Sequence, residues 1–425
     1  MKKYTIDSVS KYLDIIRNNN FDSYIFRGQN EPYYGIEASG FRPYKGGWHS
    51  DSFYDFNTMQ KEYYDMIISK ISDDIKTHFT AFCQHHQLPT NLVDFTSNSL
   101  VALFFACYGK GEQPFYLSDL LNNPSRQELE NLNNDKSSQG ILLHNLYNQL
   151  SKNNFGSSAE VYLINKNRLI DISDIIIENR GTNFFEVLIQ DKDVQNRIYE
   201  RIIKNFSNNP NQVEQYVLNF INNYEYNKAN LNGLNGLLNI EDDNKFLTLK
   251  SLLNNKNRLI DIYYYLKENL DDKDIISSNF YKFEERIALF DVDYFNEDCI
   301  VIGAKIYLAL LINLLKIFTL YTEKCLISLD IYFIYNVPNL FERIPNQKGL
   351  FIYQSYMNYR DNYNFQYLNY QNITPDIIIE INNYKEILYE LDHLGINLET
   401  MYDGFDNVAK SVKYRHNTKL NNETT

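Results

Sequence analysis

The chain has 425 residues but only four cysteines, nine prolines, 16 glycines and one tryptophan. Cys83, Cys107, Cys299 and Cys325 lie far apart, without the paired spacings of a disulfide framework, and read as buried thiols of a reducing compartment, the cytoplasm. Long apolar runs are also missing. The most apolar stretch, residues 299–320, is interrupted by Lys305, Asn313 and Lys316, whereas a spanning helix needs ~20 mostly apolar residues. A buried helix is expected there, and no membrane partner. The N-terminus interleaves polar residues after Lys2 and Lys3, unlike a secretory signal. Positive charge is in deficit as well. Forty-one basic against 54 acidic residues leave a net charge of −13, the wrong sign for coating nucleic acid. Bulk nucleic-acid binding is not expected, although a local basic cleft is compatible with this charge. No Walker sequence, zinc cysteine pair, H-E-x-x-H or G-x-S-x-G occurs, which removes the reactions those motifs carry.

Hydrophobic residues make up 44% of the chain and charged residues 22%, a globular composition that excludes disorder as the whole answer. At ~100–200 residues per domain the length allows two or three domains, or one core with a large insertion. The 36 tyrosines are spread along the whole chain with asparagine, isoleucine and lysine, all residues of AT-rich codons, so they carry no functional weight.

Residues 1–109 read as compact and mixed. Ile6, Val9, Leu13 and Ile16 share one helical face, with Thr5 and Asp7 near its start. Residues 24–26 form a short buried strand that delivers Arg27 at its end, and residues 57–79 carry helical spacing. Residues 110–328 read as a mostly helical insertion with asparagine-rich joints. Strand 159–164 is the exception and joins the core. Helices are expected over 190–206, 212–222, 246–256 and 300–320. Residues 329–416 return to the core, with strands at 329–336, 350–354 and 376–381 and a helix at 385–394 stopped by Gly395. Residues 417–425 form a polar tail.

The segment 84–107 concentrates polar groups where a strand, 91–95, hands over to a helix. Thr96, Ser97 and Asn98 stand at that junction, where they can cap the helix or present its start to a phosphate or ribose oxygen. Arg27 can pair with Asp94 in the core or bind an anion. His85 is a structural histidine or a base. Cys83, His85 and His86 fall short of a metal ligand set, and no metal is expected. Gln347 and Gly349 form a hairpin turn or part of a site.

Phe26-Arg27-Gly28-Gln29, the run Gln84-His85-His86-Gln87-Leu88-Pro89-Thr90 through Asp94-Phe95-Thr96 to Ala106, Arg343 to Phe351, and the run from Ile387 to Asp406 occur in the order of the FRG domain family, which this chain resembles. The sequence departs from that pattern at Gln87 (usually glycine), Asn91 (arginine), Phe95 (tryptophan) and Ser99 (proline). The motif order in turn resembles the ADP-ribosyltransferase fold. The fold this implies is α+β: a split mixed β-sheet core with a large helical insertion.

By that resemblance NAD is the substrate. Arg27 holds its phosphates or nicotinamide ribose, Gln29, His85, Asp94 and Asn98 assist binding, and Thr96 and Ser97 support the ribose. The third position, usually a carboxylate that stabilises an oxocarbenium-like ribose, falls on Gln347, which carries no charge. Three functions follow. The first is an NAD-consuming ADP-ribosyltransferase or NAD glycohydrolase of bacterial defence, with a macromolecular acceptor or a phage protein as partner. The second is a non-catalytic sensor of a nucleotide or partner, and the third a metal-dependent nuclease using His85, His86 and Asp94.

Overall fold

The computed structural model describes residues 2–30, 35–42, 54–108, 159–208, 215–217, 219–220, 296–318, 326–338, 343–360, 366–402 and 408–413. The chain opens with β1 (Lys2–Ile6), α1 (Val9–Asn18), β2 (Tyr24–Gln29), α2 (Phe56–Ile67), α3 (Asp73–Thr77), α4 (Phe79–His85), β3 (Leu92–Thr96) and α5 (Ser99–Cys107). It continues with β4 (Ala159–Asn165), β5 (Leu169–Asp171), α6 (Ser173–Glu178), α7 (Phe184–Gln190), α8 (Lys192–Ser207) and α9 (Asn296–Phe318). The last part holds β6 (Leu326–Ser328), β7 (Tyr332–Tyr335), α10 (Arg343–Gln347), β8 (Gly349–Tyr353), β9 (Tyr356–Arg360), β10 (Gln366–Asn372), β11 (Ile377–Ile381), α11 (Tyr384–His393) and α12 (Leu398–Met401).

The main sheet is mixed, with strand order β1-β11-β4-β2-β3-β8-β7-β5 and parallel pairs at its two edges. A smaller sheet has the order β6-β10-β9. Adjacent strands of the main sheet share long registers except at the centre, where β2 meets β3 through the single pair Phe26–Thr96. The sheet is thus split between β2 and β3.

Strand alternation distributes the core over both faces. Phe26, Val161, Leu163 and Ile379 pack under α1, α5 and α11 on one half of a face. On the other half, Leu92, Phe333, Phe351 and Tyr353 share a cluster with α7, α8 and α9. The opposite face buries Ile25, Val93, Tyr162 and Ile352 with an aromatic group in which Phe41 stacks on Tyr370 and Phe56 meets Phe41 and Tyr356 edge-on. The split therefore falls where one helical cluster gives way to the next.

Helix α5 packs against β2 at backbone distance. A Cβ on Gly28 would stand 1.8 Å from the Ala102 carbonyl oxygen and 2.5 Å from the Ala106 nitrogen. The small residues Ala102 and Ala106, four apart on one helical face, admit that approach. Among the described residues no helix is long and apolar enough to cross a membrane. The apolar helix expected over 300–320 is α9, whose Ile302, Tyr307, Leu311 and Leu315 are buried in the core.

Several local expectations change. Residues 2–6 form a strand, and the helix that follows starts at Val9, capped by Ser8, whose side chain accepts from Lys11 N. The expected helix 57–79 is broken, with Ile71 extended and Ser72 capping α3. Strand 24–26 runs on to Gln29, so Arg27 lies within β2, opposite Tyr162. Gln347 ends helix α10 instead of sitting in a hairpin or on a late strand, and Lys348 follows at φ +45°. The expected helix 246–256, most of 212–222 and the tail lie outside the described residues.

Candidate functional site

The split opens a cleft of about 350 Å³. Arg27, Gln29 and Asn30 from β2 and its end, Asp94 and Thr96 from β3, and Gln347 from α10 give it polar walls. Phe105 and Tyr108 at the end of α5, with Tyr402, make an aromatic end, and Arg42 comes from the loop that covers the opposite face.

Arg27 reaches across the split, its Nη1 donating to the Asp94 carbonyl oxygen at 2.8 Å. The partner is a neutral carbonyl, and no ion pair between Arg27 and a carboxylate occurs among the described residues. Its Nε is buried without a hydrogen-bond partner. Burial and then the neighbouring Arg42 pull the guanidinium down to about 10, against the opposing pull of Asp94 and Tyr162. A cation desolvated this far without a paired anion is a site that a ligand's negative charge would relieve.

The other polar groups are held by the fold. The Thr96 hydroxyl donates to the Gln347 carbonyl at 2.7 Å and accepts from Asn98 N at 2.9 Å. Gln347 Nε2 donates to the Met401 carbonyl at 2.8 Å, which ties α10 to α12 and places Tyr402 edge-on to Phe105. The loop bearing Arg42 is pinned by Gly40 N to Thr90 O at 2.8 Å, by Thr90 N to Ser39 Oγ, and by Ala38 N to the buried Gln354 Oε1. Arg42 itself donates to the Glu37 carbonyl at 2.9 Å.

Of the residues singled out from sequence, Arg27, Gln29, Asp94, Thr96 and Gln347 come together in this cleft. Ser97, Asn98 and His85 are not among the residues lining it. Asn98 caps α5, accepting from Leu100 N at 3.0 Å, and Ser97 N donates to the Lys348 carbonyl. His85 packs edge-on against His86. Among the described residues no group of three histidine, cysteine or acidic side chains is placed to hold a metal, so His85, His86 and Asp94 do not form the ligand set of a nuclease. Asn91, where the family pattern has arginine, is buried in the sheet and donates to the Gln354 carbonyl, away from the cleft lining. Gln87, where it has glycine, adopts φ +64°, the conformation that favours glycine.

Sequence reasoning missed Asn30, Arg42 and the ring-bearing end made by Phe105, Tyr108 and Tyr402. Arg42 lies in a loop with no periodicity, and Tyr402 follows a four-residue helix, so neither carried a local signal. Gln84 and Thr90 stood inside a recognised motif, and their connection to Asp94 appears only in three dimensions: Gln84 Nε2 donates to Asp94 Oδ2 at 2.9 Å.

No curated protein and no solved structure matches the chain. A family model does match residues 22–113, a span that contains β2, β3, α5 and most of the cleft. The chain carries an FRG domain, and the cleft opens between that domain's own strands.

Proposed function

We propose that the cleft binds a nucleotide, with its phosphate on Arg27 and its base against Phe105, Tyr108 and Tyr402, and that the protein uses this binding as a sensor. The observation that carries this reading is the buried Arg27 Nε without a partner, on a guanidinium whose one hydrogen bond goes to a carbonyl. Arginine is suited to phosphate because its fork can donate two parallel hydrogen bonds. The aromatic end supplies π-faces on which a base stacks. NAD is the nucleotide suggested by the motif order. The sensor reading is preferred to NAD cleavage because Gln347 is neutral and its amide is engaged by Met401.

One observation favours a second reading. Asp94 is the only carboxylate among the residues lining the cleft, and an anion beside the nicotinamide ribose would stabilise an oxocarbenium-like transition state. Incubating the full chain with NAD, measuring binding by calorimetry and nicotinamide release by chromatography, separates the two. Binding without release, lost in Arg27→Lys, is the expected result. Release abolished by Asp94→Ala would establish the second reading, and a wild-type chain that neither binds nor cleaves NAD or ADP would refute both.

A further inference from the structure

The β3 side of the cleft contains a hydrogen-bond relay that fixes one carboxylate. Thr90 is fully buried, and its hydroxyl accepts from Leu92 N at 3.2 Å, so its own proton is directed to Gln84 Oε1 at 2.5 Å. That bond sets the orientation of the Gln84 amide: the oxygen faces Thr90 and the NH₂ donates to Asp94 Oδ2 at 2.9 Å. Asp94 is thereby held from one side, and among the described residues its Oδ1 accepts no hydrogen bond. The main chain of the same residue accepts from Arg27 at 2.8 Å, so an oriented acceptor and the desolvated guanidinium border one cavity.

A bare phosphate has no use for a carboxylate, which would repel it. A ligand suited to both groups carries a negative charge and, a few bonds away, a hydroxyl that can donate. We infer that the cleft selects ribonucleotides over deoxyribonucleotides, with Asp94 Oδ1 accepting from a ribose hydroxyl and Gln84, set by Thr90, acting as the positioning residue. This rests on the nucleotide reading above. The volume of about 350 Å³ lies within the ~300–1,000 Å³ of small-molecule pockets.

The test is calorimetric titration of the full chain with ADP, 2′-deoxy-ADP, 3′-deoxy-ADP and inorganic pyrophosphate, repeated on Asp94→Ala, Thr90→Val and Arg27→Lys. At least one deoxy analogue should bind about ten- to hundredfold more weakly than ADP, the factor for losing a hydrogen bond to a charged acceptor. Asp94→Ala should erase that preference while leaving or improving pyrophosphate binding. Thr90→Val should reduce the preference without changing pyrophosphate affinity, a pattern that general destabilisation does not produce. Asp94 is exposed, so its variant folds even if Thr90→Val does not. Equal affinity for ADP and both deoxy analogues, still dependent on Arg27, would overturn the hydroxyl inference and leave the nucleotide site standing. Absence of any Arg27-dependent binding would overturn the site and this inference together.

Discussion

Replacing Arg27 by methionine removes its charge and keeps much of its length. Holding the guanidinium near 10 costs the charged form about 3 kcal/mol relative to a solvated arginine, at ~1.4 kcal/mol per tenfold. Water at the open mouth of the cleft returns part of this. The variant also loses the bond to the Asp94 carbonyl, worth about 1.5 kcal/mol for a charged donor. The balance is a variant as stable as the wild type or more stable by up to about 1 kcal/mol, a rise in Tm of up to about 1 °C for a chain of 425 residues. Adding pyrophosphate or ADP should then raise the Tm of the wild type and not of Arg27→Met, because only the wild type gains from binding. Thermal unfolding by circular dichroism with and without ligand measures both effects. A variant that melts far below the wild type, by the ~3–5 kcal/mol of a broken buried ion pair, would refute the reasoning and make Arg27 a structural residue.

Three further outcomes follow from the geometry. Gly28→Ala should destabilise the chain by about 2–3 kcal/mol in urea unfolding, because the new Cβ meets the backbone of α5 and the helix has to shift. Gln87→Gly should be stabilising by roughly 0.5–1 kcal/mol, since relief of the left-handed backbone at φ +64° exceeds the entropy that glycine loses on folding; chemical denaturation checks it. Asp174 is opposed by partial burial, yet hydrogen bonds from Arg201 and Arg197 hold its carboxyl down at about 2. Its contribution is present above the ordinary carboxylate range and is lost as pH falls through about 2, so acid unfolding should begin at higher pH in Asp174→Asn than in the wild type.

Elements whose signals are local were legible in the sequence. The end of α11 at Gly395, which adopts φ +79°, follows from helix-stop chemistry, and α5 follows from its apolar periodicity after a polar cap. Strand β1 was hidden because Ile6, Val9, Leu13 and Ile16 fit a helical face. Its pairing partner, β11, lies more than 370 positions away, and Leu13 remains 41% exposed while Tyr12 is buried. Strands β9 and β10, with asparagines and glutamine among their tyrosines, gave no alternation to read. The site divides in the same way. Arg27, Asp94, Thr96 and Gln347 could be named because they sit in motifs, but that they share one cleft depends on the split between β2 and β3, which no stretch of sequence encodes by itself. The relay from Thr90 through Gln84 to Asp94 likewise joins residues that only the turn after α4 brings together.

The central claim is that Arg27 receives a phosphate in the cleft at the sheet split. A crystal structure of the chain with ADP tests it most directly. The account predicts a phosphate oxygen about 2.7–3.2 Å from Arg27 Nε, with the adenine against Phe105, Tyr108 or Tyr402. Nucleotide bound elsewhere, with Arg27 Nε still lacking a partner, would contradict it.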